Sequence, residues 1–340
     1  VLTVSPSTAV TGISAKAAGG TGLAHRYALV NLNPFVVLGA DDAATTALYA
    51  SHSAGGVLDL YNPNTGTGVL TDTYLEQRAR MLALKLRLNV EDAAEEFLSP
   101  EGETTFEDRA SGNTFVANAG LPPDPLGGPG PLFNRNRVIF GTDADEVSSA
   151  SNQPNIDGAV GNDHLFGMGG NDEIKGGAGD DVIEGGSGAD MVYGEADNDT
   201  LRGGAGNDDL FGGVGADTLE GESGDDSLIG GEWDVTTGTA IDDGEVDILK
   251  GGVGDDFYHV GAGDVIEDTD NIGRLKWGPY QLQGGEYIFG SSQQGETHYR
   301  DANGFVYSIS GSTLTISAHA VFADGGVITI NDWQPGDSTQ

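Results

Sequence analysis

The sequence predicts a mainly β protein built around a parallel β-roll, with a mixed, partly helical region before it and an antiparallel β cap after it. Three observations carry that reading. Gly158 to Ile229 is eight consecutive nine-residue units without a slip. Position six of each unit is Asp, and position eight is always Leu, Ile or Val. Beyond residue 270 the charge falls, aromatic residues rise and alternating β patterns begin. A fixed short period over such a length is the mark of a solenoid and overrides local propensity. The bounds expected from these shifts are 1–136 for the N-terminal α+β region, 137–270 for the roll and 271–340 for a C-terminal, β-sandwich-like cap.

Within one unit the glycines are expected to supply the positive φ of a tight turn. The Asp supplies a hard oxygen of the kind calcium prefers. Positions seven to nine form a very short strand whose middle side chain faces inward. One unit cannot bury that side chain alone, so two units make one turn of a flat coil and the turns stack into two parallel sheets. Loops on one edge then lie eighteen residues apart, as Asp163 and Asp181 do. Stacked carboxylates at that spacing repel unless cations lie between them. A Gly/Asp-rich disordered linker is the competing reading, and the invariant apolar position eight argues against it.

Charge supports a cation requirement. Of the 53 acidic residues, 33 lie between 141 and 270, against three basic ones, Lys175, Arg202 and Lys250. A segment that acidic should be unfolded by self-repulsion until cations bind, so binding energy becomes folding energy. No basic patch is present to meet phosphates, which argues against nucleic acid as a partner. The chain has no Cys, no run of eighteen apolar residues for a transmembrane helix, and no visible signal peptide. It starts at Val1 without Met, which reads as a fragment of something longer.

The units GGAGDDVIE, GGSGADMVY and GGAGNDDLF resemble the RTX, or haemolysin-type, calcium-binding nonapeptide GGxGxDxUx. The resemblance implies a secreted, extracellular, metal-binding protein of the adhesin, toxin or enzyme kind, exported by a type I system, with several Ca2+ ions as cofactor. In that family each ion lies between loops n and n+2. The first loop gives the carbonyls of positions two and four and its Asp; the second gives those of positions one and three and its Asp. Carried over, one implied site is Gly177, Gly179 and Asp181 with Gly194, Ala196 and Asp199. Another is Gly186, Gly188 and Asp190 with Gly203, Ala205 and Asp208. The other implied ligands are Asp143, Asp145, Gly158, Val160, Gly161, Asp163, Gly170, Asp172, Gly176, Ala178, Gly185, Ser187, Asp197, Gly204, Gly206, Gly212, Val214, Asp217, Gly221, Ser223, Asp226, Asp247 and Asp256. Asp145 stands eighteen residues before Asp163, so a degenerate first loop is expected there, with Asp143 and Asp145 near the ion held by Asp163. Glu195, Asp197 and Glu222 replace glycines, and their loops are expected to form under strain.

Elsewhere the chain reads as follows. Leu23 to Leu38 suggests a short helix ending at Pro34 and then a buried strand. Ser51-His52-Ser53-Ala54-Gly55 has a likeness to a hydrolase nucleophile elbow, but no strand precedes it and no helix follows, so it reads as a loop. Thr71 to Asn89 is the best helix, with capping-box spacing at Thr73 and Glu76 and an apolar stripe of Leu75, Ala79, Leu82, Ala83 and Leu86. Arg78, Arg80, Lys85 and Arg87 fall largely off that stripe, as a solvated face or as a basic patch for the acidic repeats or a partner. Glu91 to Leu98 extends the helical part. Thr104 to Val116 reads as a hairpin around Ser111-Gly112-Asn113. Leu121 to Leu132 is a Pro/Gly linker whose Asp124-Pro125 reads as a turn; some RTX proteins cut themselves at such a bond when calcium binds. Arg137 to Asp145 leads into the roll. Gly230 to Ile241, with Trp233, is an insertion, and Asp242 to Lys250 is a degenerate unit keeping Asp247 and Leu249. Gly251 to His259 is a further unit, with Asp256. Phe305 to Ile309, Thr313 to Ser317 and Val327 to Ile330 alternate as a β-meander that would cover the last rung.

Three functions compete: a calcium-folded structural module of a larger secreted protein, a protein that self-associates or binds an extracellular surface, and the downstream region of a lipase-like hydrolase. No set of nucleophile, base and orienting group is apparent, the six histidines lack zinc spacing, and no enzyme activity is expected of the chain itself.

Overall fold

The computed structural model describes residues 2–3, 23–30, 35–36, 60–62, 68, 70–86, 103–117, 135–142, 144, 146, 155–234, 236, 239–268, 273–277, 280–281, 286–287, 297–300, 306–310, 313–317 and 327–331. They fall into two compact units, Val1–Phe140 and Gly141–Gln340.

The first unit holds two helices, α1 (Leu23–Val30) and α2 (Asp72–Leu86). Its sheet centres on Glu103–Asp108, antiparallel to Asn113–Ala117 and parallel to Arg135–Phe140. The hairpin expected at Ser111-Gly112-Asn113 is there, closed by the pair Asp108 and Asn113. Helix α2 starts earlier than its capping-box spacing suggested. Thr71 Oγ1 accepts the Tyr74 N–H at 3.0 Å, which is the N-cap bond. Glu76 pairs with Arg80 at 2.9 Å, one turn on. The larger correction is Arg78, which lies on neither a solvated nor a docking face but is 4% exposed. Its guanidinium bonds Asp108 at 3.0 Å, donates to the last carbonyls of α1, Leu29 and Val30, and lies over the Phe140 ring. One side chain thus ties two helices to the sheet.

The second unit is the roll. One sheet stacks Ile156–Val160, Glu173–Ala178, Met191–Ala196, Asp209–Val214, Ser227–Ile229, Asp256–Val260 and Gly273–Trp277 in parallel. The other stacks His164–Gly169, Val182–Ser187, Thr200–Ala205, Thr218–Ser223, Ile248–Val253 and Val265–Glu267. Partners are eighteen residues apart, as Val192 and Leu210 are. Strands are six residues long rather than the three expected, because pairing resumes beyond position one through positions two and three, as in Glu195 with Gly213. Between the sheets lies a core one side chain thick. Leu165, Ile174, Ile183, Val192, Leu201, Leu210, Leu219 and Leu228 are each 0% exposed.

The outer faces are ordered too. On one sheet Arg202 bridges Glu184 at 3.5 Å and Glu220 at 2.9 Å, and Lys250 reaches Glu220 at 2.8 Å. On the other, Tyr193 stacks on Phe211 at 4.8 Å. The insertion folds as a hairpin, Glu232–Asp234 against Thr239–Ile241, and brings Trp233 to Phe211 and His259 at 6.3 and 6.1 Å. His259 therefore points outward from its strand yet is buried. Burial and then the Lys276 charge push its pKa down to about 4.

At the C-terminal end Val327–Asn331 joins Val265–Glu267 as a further parallel strand. Thr313–Ser317, Val306–Ser310, Thr297–Arg300 and Glu286–Tyr287 follow antiparallel. The meander is present, but it extends the sheet edge instead of lying across the last rung. A strand added to the edge satisfies its open N–H and C=O groups directly.

Candidate calcium site

Each loop runs from position one to the Asp at position six, and the loops stack along two edges. On the first, the N–H of each Asp donates to Oδ1 of the next: Asp163 to Asp181 at 2.7 Å, Asp181 to Asp199 and Asp199 to Asp217 at 2.8 Å, Asp217 to Asp247 at 3.0 Å and Asp247 to Asp264 at 3.1 Å. On the second, Asp172, Asp190, Asp208, Asp226 and Asp256 repeat the pattern at 2.8 to 3.0 Å. The spacing of eighteen and the invariant Asp are one fact seen twice.

The second oxygen of these carboxylates points inward. Oδ2 of Asp172, Asp181, Asp199, Asp208, Asp217 and Asp226 is buried without a hydrogen-bond partner. It lies over the Gly at position one of its own unit. A Cβ on Gly176, Gly194, Gly203, Gly212 or Gly221 would overlap it. Position one is thus Gly for space, and positive φ is the task of positions two and four, as at Gly186 (φ 114°) and Gly188 (φ 134°). The sequence reading assigned that task to the glycines as a group. Ala159, Met168, Glu195, Asp197 and Glu222 also adopt φ between 77° and 81° without being Gly.

Backbone oxygens gather in the same gaps. A Cβ on Gly204 would meet the Gly186 carbonyl, and one on Gly206 the Gly188 carbonyl. From the other side the Gly203 carbonyl faces Gly185, 2.6 Å from where its Cβ would stand. The carbonyls of Gly186, Gly188 and Gly203 therefore border the gap with Asp190 and Asp208. Ala159, Gly161 and Gly176 border the equivalent gap on the first edge. The carbonyls of position three, as at Ala178, Ala196, Ala205, Val214 and Ser223, accept the position-four N–H of the loop below. Val160, Gly170, Gly177, Gly179 and Ser187 lie in these loops as the pattern requires. Asp143 and Asp145 lie outside the described residues, as do Ser51 to Gly55 and Asp124-Pro125.

Burial, with neighbouring carboxylates adding to it, raises the pKa of Asp172, Asp181, Asp199, Asp226 and Asp247 to about 8. Burial holds Asp208 at about 7 and Asp217 and Asp264 at about 6. Oxygen-lined gaps whose carboxylates are unfavourable as bare anions fit a hard divalent cation. Among the described residues no three Asp, Glu or His side chains converge on one point, so carbonyls must form much of any coordination shell.

Two loop carboxylates escaped the sequence reading. Glu146 heads the second column: its N–H donates to Asp172 Oδ1 at 2.7 Å, and Thr142 Oγ1 donates to its Oε1 at 2.8 Å. It stands six places into a unit beginning at Gly141, with Glu for Asp, and counting back eighteen from Asp163 passed over it. Asp264 closes the first column, displaced by one residue from the period.

Stacked carboxylate loops joined by two parallel sheets define a calcium-binding β-roll, a structural fold. Residues 157–192, 184–219, 211–232 and 239–266 match the family model of the RTX calcium-binding nonapeptide repeat, in four copies. This part of the chain is an RTX repeat region. No curated protein matches the chain as a whole. No helix among the described residues is long and apolar enough to cross a membrane.

Proposed function

We propose that the chain is a calcium-dependent structural module of a larger secreted RTX protein, exported unfolded by a type I system and folding outside the cell as several calcium ions fill the gaps of the roll. The division into 1–136, 137–270 and 271–340 belongs to the same reading. The buried, partnerless Oδ2 row carries it. Six carboxylate oxygens shielded from water in a segment with only three basic residues require a cation to make the fold favourable. Those three are already engaged, Lys175 with Glu173 at 3.0 Å and Arg202 and Lys250 with Glu184 and Glu220. Extracellular calcium is abundant enough for modest sites to fill, which makes export the trigger for folding. The test is far-UV circular dichroism of the purified chain titrated with calcium after chelation. A β signal that grows with calcium over a saturable range is expected, and magnesium should be much weaker because it demands near-ideal octahedral geometry. A full β signal in chelator would defeat the reading.

A further inference from the structure

One loop on the first edge is built unlike those before it. In the regular column the N–H of position four donates to the position-three carbonyl of the next loop: Gly161 to Ala178 at 2.8 Å, Gly179 to Ala196 at 3.2 Å, Asp197 to Val214 at 2.8 Å. The next donor is Gly215. It donates to a side chain, Oδ2 of Asp243, at 2.8 Å. The other oxygen of Asp243 accepts the Glu245 N–H at 3.0 Å. A carboxylate therefore stands where the loops below present a neutral carbonyl. The segment Asp242–Asp247 follows the inserted hairpin and has lost the glycine arc, and Asp243 makes the bond that the arc would have made.

Beneath it is a second, independent feature. Asp217 is 1% exposed and its Oδ2 has no hydrogen-bond partner. A Cβ on Gly212 would overlap both that oxygen and the Gly230 carbonyl, so the two face the same space. Asp247 forms the upper wall, its Oδ1 accepting the Asp217 N–H at 3.0 Å. This gap carries one more full negative charge than its neighbours, and calcium affinity rises with ligand charge.

We propose that Asp243 is a side-chain ligand peculiar to this gap, and that the gap between Asp217 and Asp247 is the first in the roll to fill with calcium. The proposal rests on the calcium reading above. Each oxygen of Asp243 accepts a single printed bond, which leaves lone-pair capacity for a cation.

The experiment is calcium titration of the full chain by calorimetry, with terbium luminescence as a second readout. Asp243→Asn keeps an acceptor for Gly215 and removes the charge. Asp180→Asn is the control, since Asp180 Oδ1 accepts the Asn198 N–H at 3.1 Å within a regular rung of the same edge. The wild type should show a first binding event at lower free calcium than the rest. Asp243→Asn should weaken that event about tenfold, and Asp180→Asn by less than about threefold. Equal shifts in the two variants, or no shift in Asp243→Asn, would overturn the proposal. If Asp243→Asn does not form the roll at saturating calcium, Asp243→Glu takes its place: a first event displaced by about threefold or more supports the assignment, and an unchanged one overturns it. A wild type that takes up no calcium would instead defeat the module reading, whereas normal uptake with an insensitive first event defeats this inference alone.

Discussion

Glycine does two different jobs in each repeat, and the residues show which is which. At position one a methyl group has nowhere to go. On Gly194 it would overlap Asp199 Oδ2 and the Gly212 carbonyl together. At Gly244, by contrast, φ is +88° with nothing within 4 Å, so only conformational strain opposes a side chain. Gly194→Ala should therefore destabilise the calcium-loaded roll by about 3 kcal/mol or more through overpacking, and Gly244→Ala by about 1 kcal/mol. Urea midpoints in saturating calcium measure both, and equal costs would mean that Asp199 does not fold back over Gly194. The converse change belongs at Glu195, held at φ 80°. Glu195→Gly should raise the midpoint, by up to about 1 kcal/mol in stability, because the left-handed strain disappears.

At the level of the element, the loop carboxylates set a pH dependence whose sign depends on calcium. Burial raises Asp181, Asp199 and Asp226 from 3.8 to about 8. Between those values the metal-free roll holds protons that the unfolded chain has released, so its stability must fall as pH rises from about 4 to about 8. Acidification of the metal-free protein from pH 8 to pH 4 should thus increase its β signal. With calcium present the direction reverses for affinity, since protons and cations compete for the same oxygens and binding should weaken as pH falls. A metal-free circular dichroism spectrum unchanged over that range would contradict the burial of these groups. Helix α2 offers a test of another kind. Arg78→Met leaves Asp108 buried at 3% exposure without its cation and should cost about 3–5 kcal/mol. Arg78→Met with Asp108→Leu should recover much of that. The sequence could not disclose this element's environment, because Gln77 and Arg78 break the apolar stripe although both are buried. A polar residue buried through tertiary partners such as Leu29 and Asp108, far away in sequence, leaves no periodic signal. The roll is the opposite case. Its rungs repeat locally, so the register, the inward row at position eight and the two columns of Asp were all legible. What was not legible lay where the period breaks: Glu146, with its longer side chain; Asp243, standing in for a carbonyl; and Trp233, whose hairpin covers His259.

The two units of the whole molecule are stabilised by different means, and removing calcium should separate them. The roll has a core one side chain deep, and each loop places a buried carboxylate beside it. Its apolar burial per rung is small, and the charge is opposed by only three basic residues. The first unit has an ordinary core, with Leu29, Leu75, Met81, Leu82 and Phe106 all at most 3% exposed, and its buried Arg78 has a carboxylate partner of its own. It has no stacked Asp column and no evident need for metal. In chelator, then, peptides covering 156–266 should exchange their amide hydrogens within seconds, as an unfolded acidic chain does, while peptides from α2 stay protected. Addition of calcium should restore protection across the roll and leave α2 unchanged. Hydrogen exchange read by mass spectrometry resolves the two on one sample. Protection of the roll in chelator would show that apolar stacking alone suffices. Simultaneous loss in both units would show that the helical unit depends on the roll, which its own core gives no reason to expect.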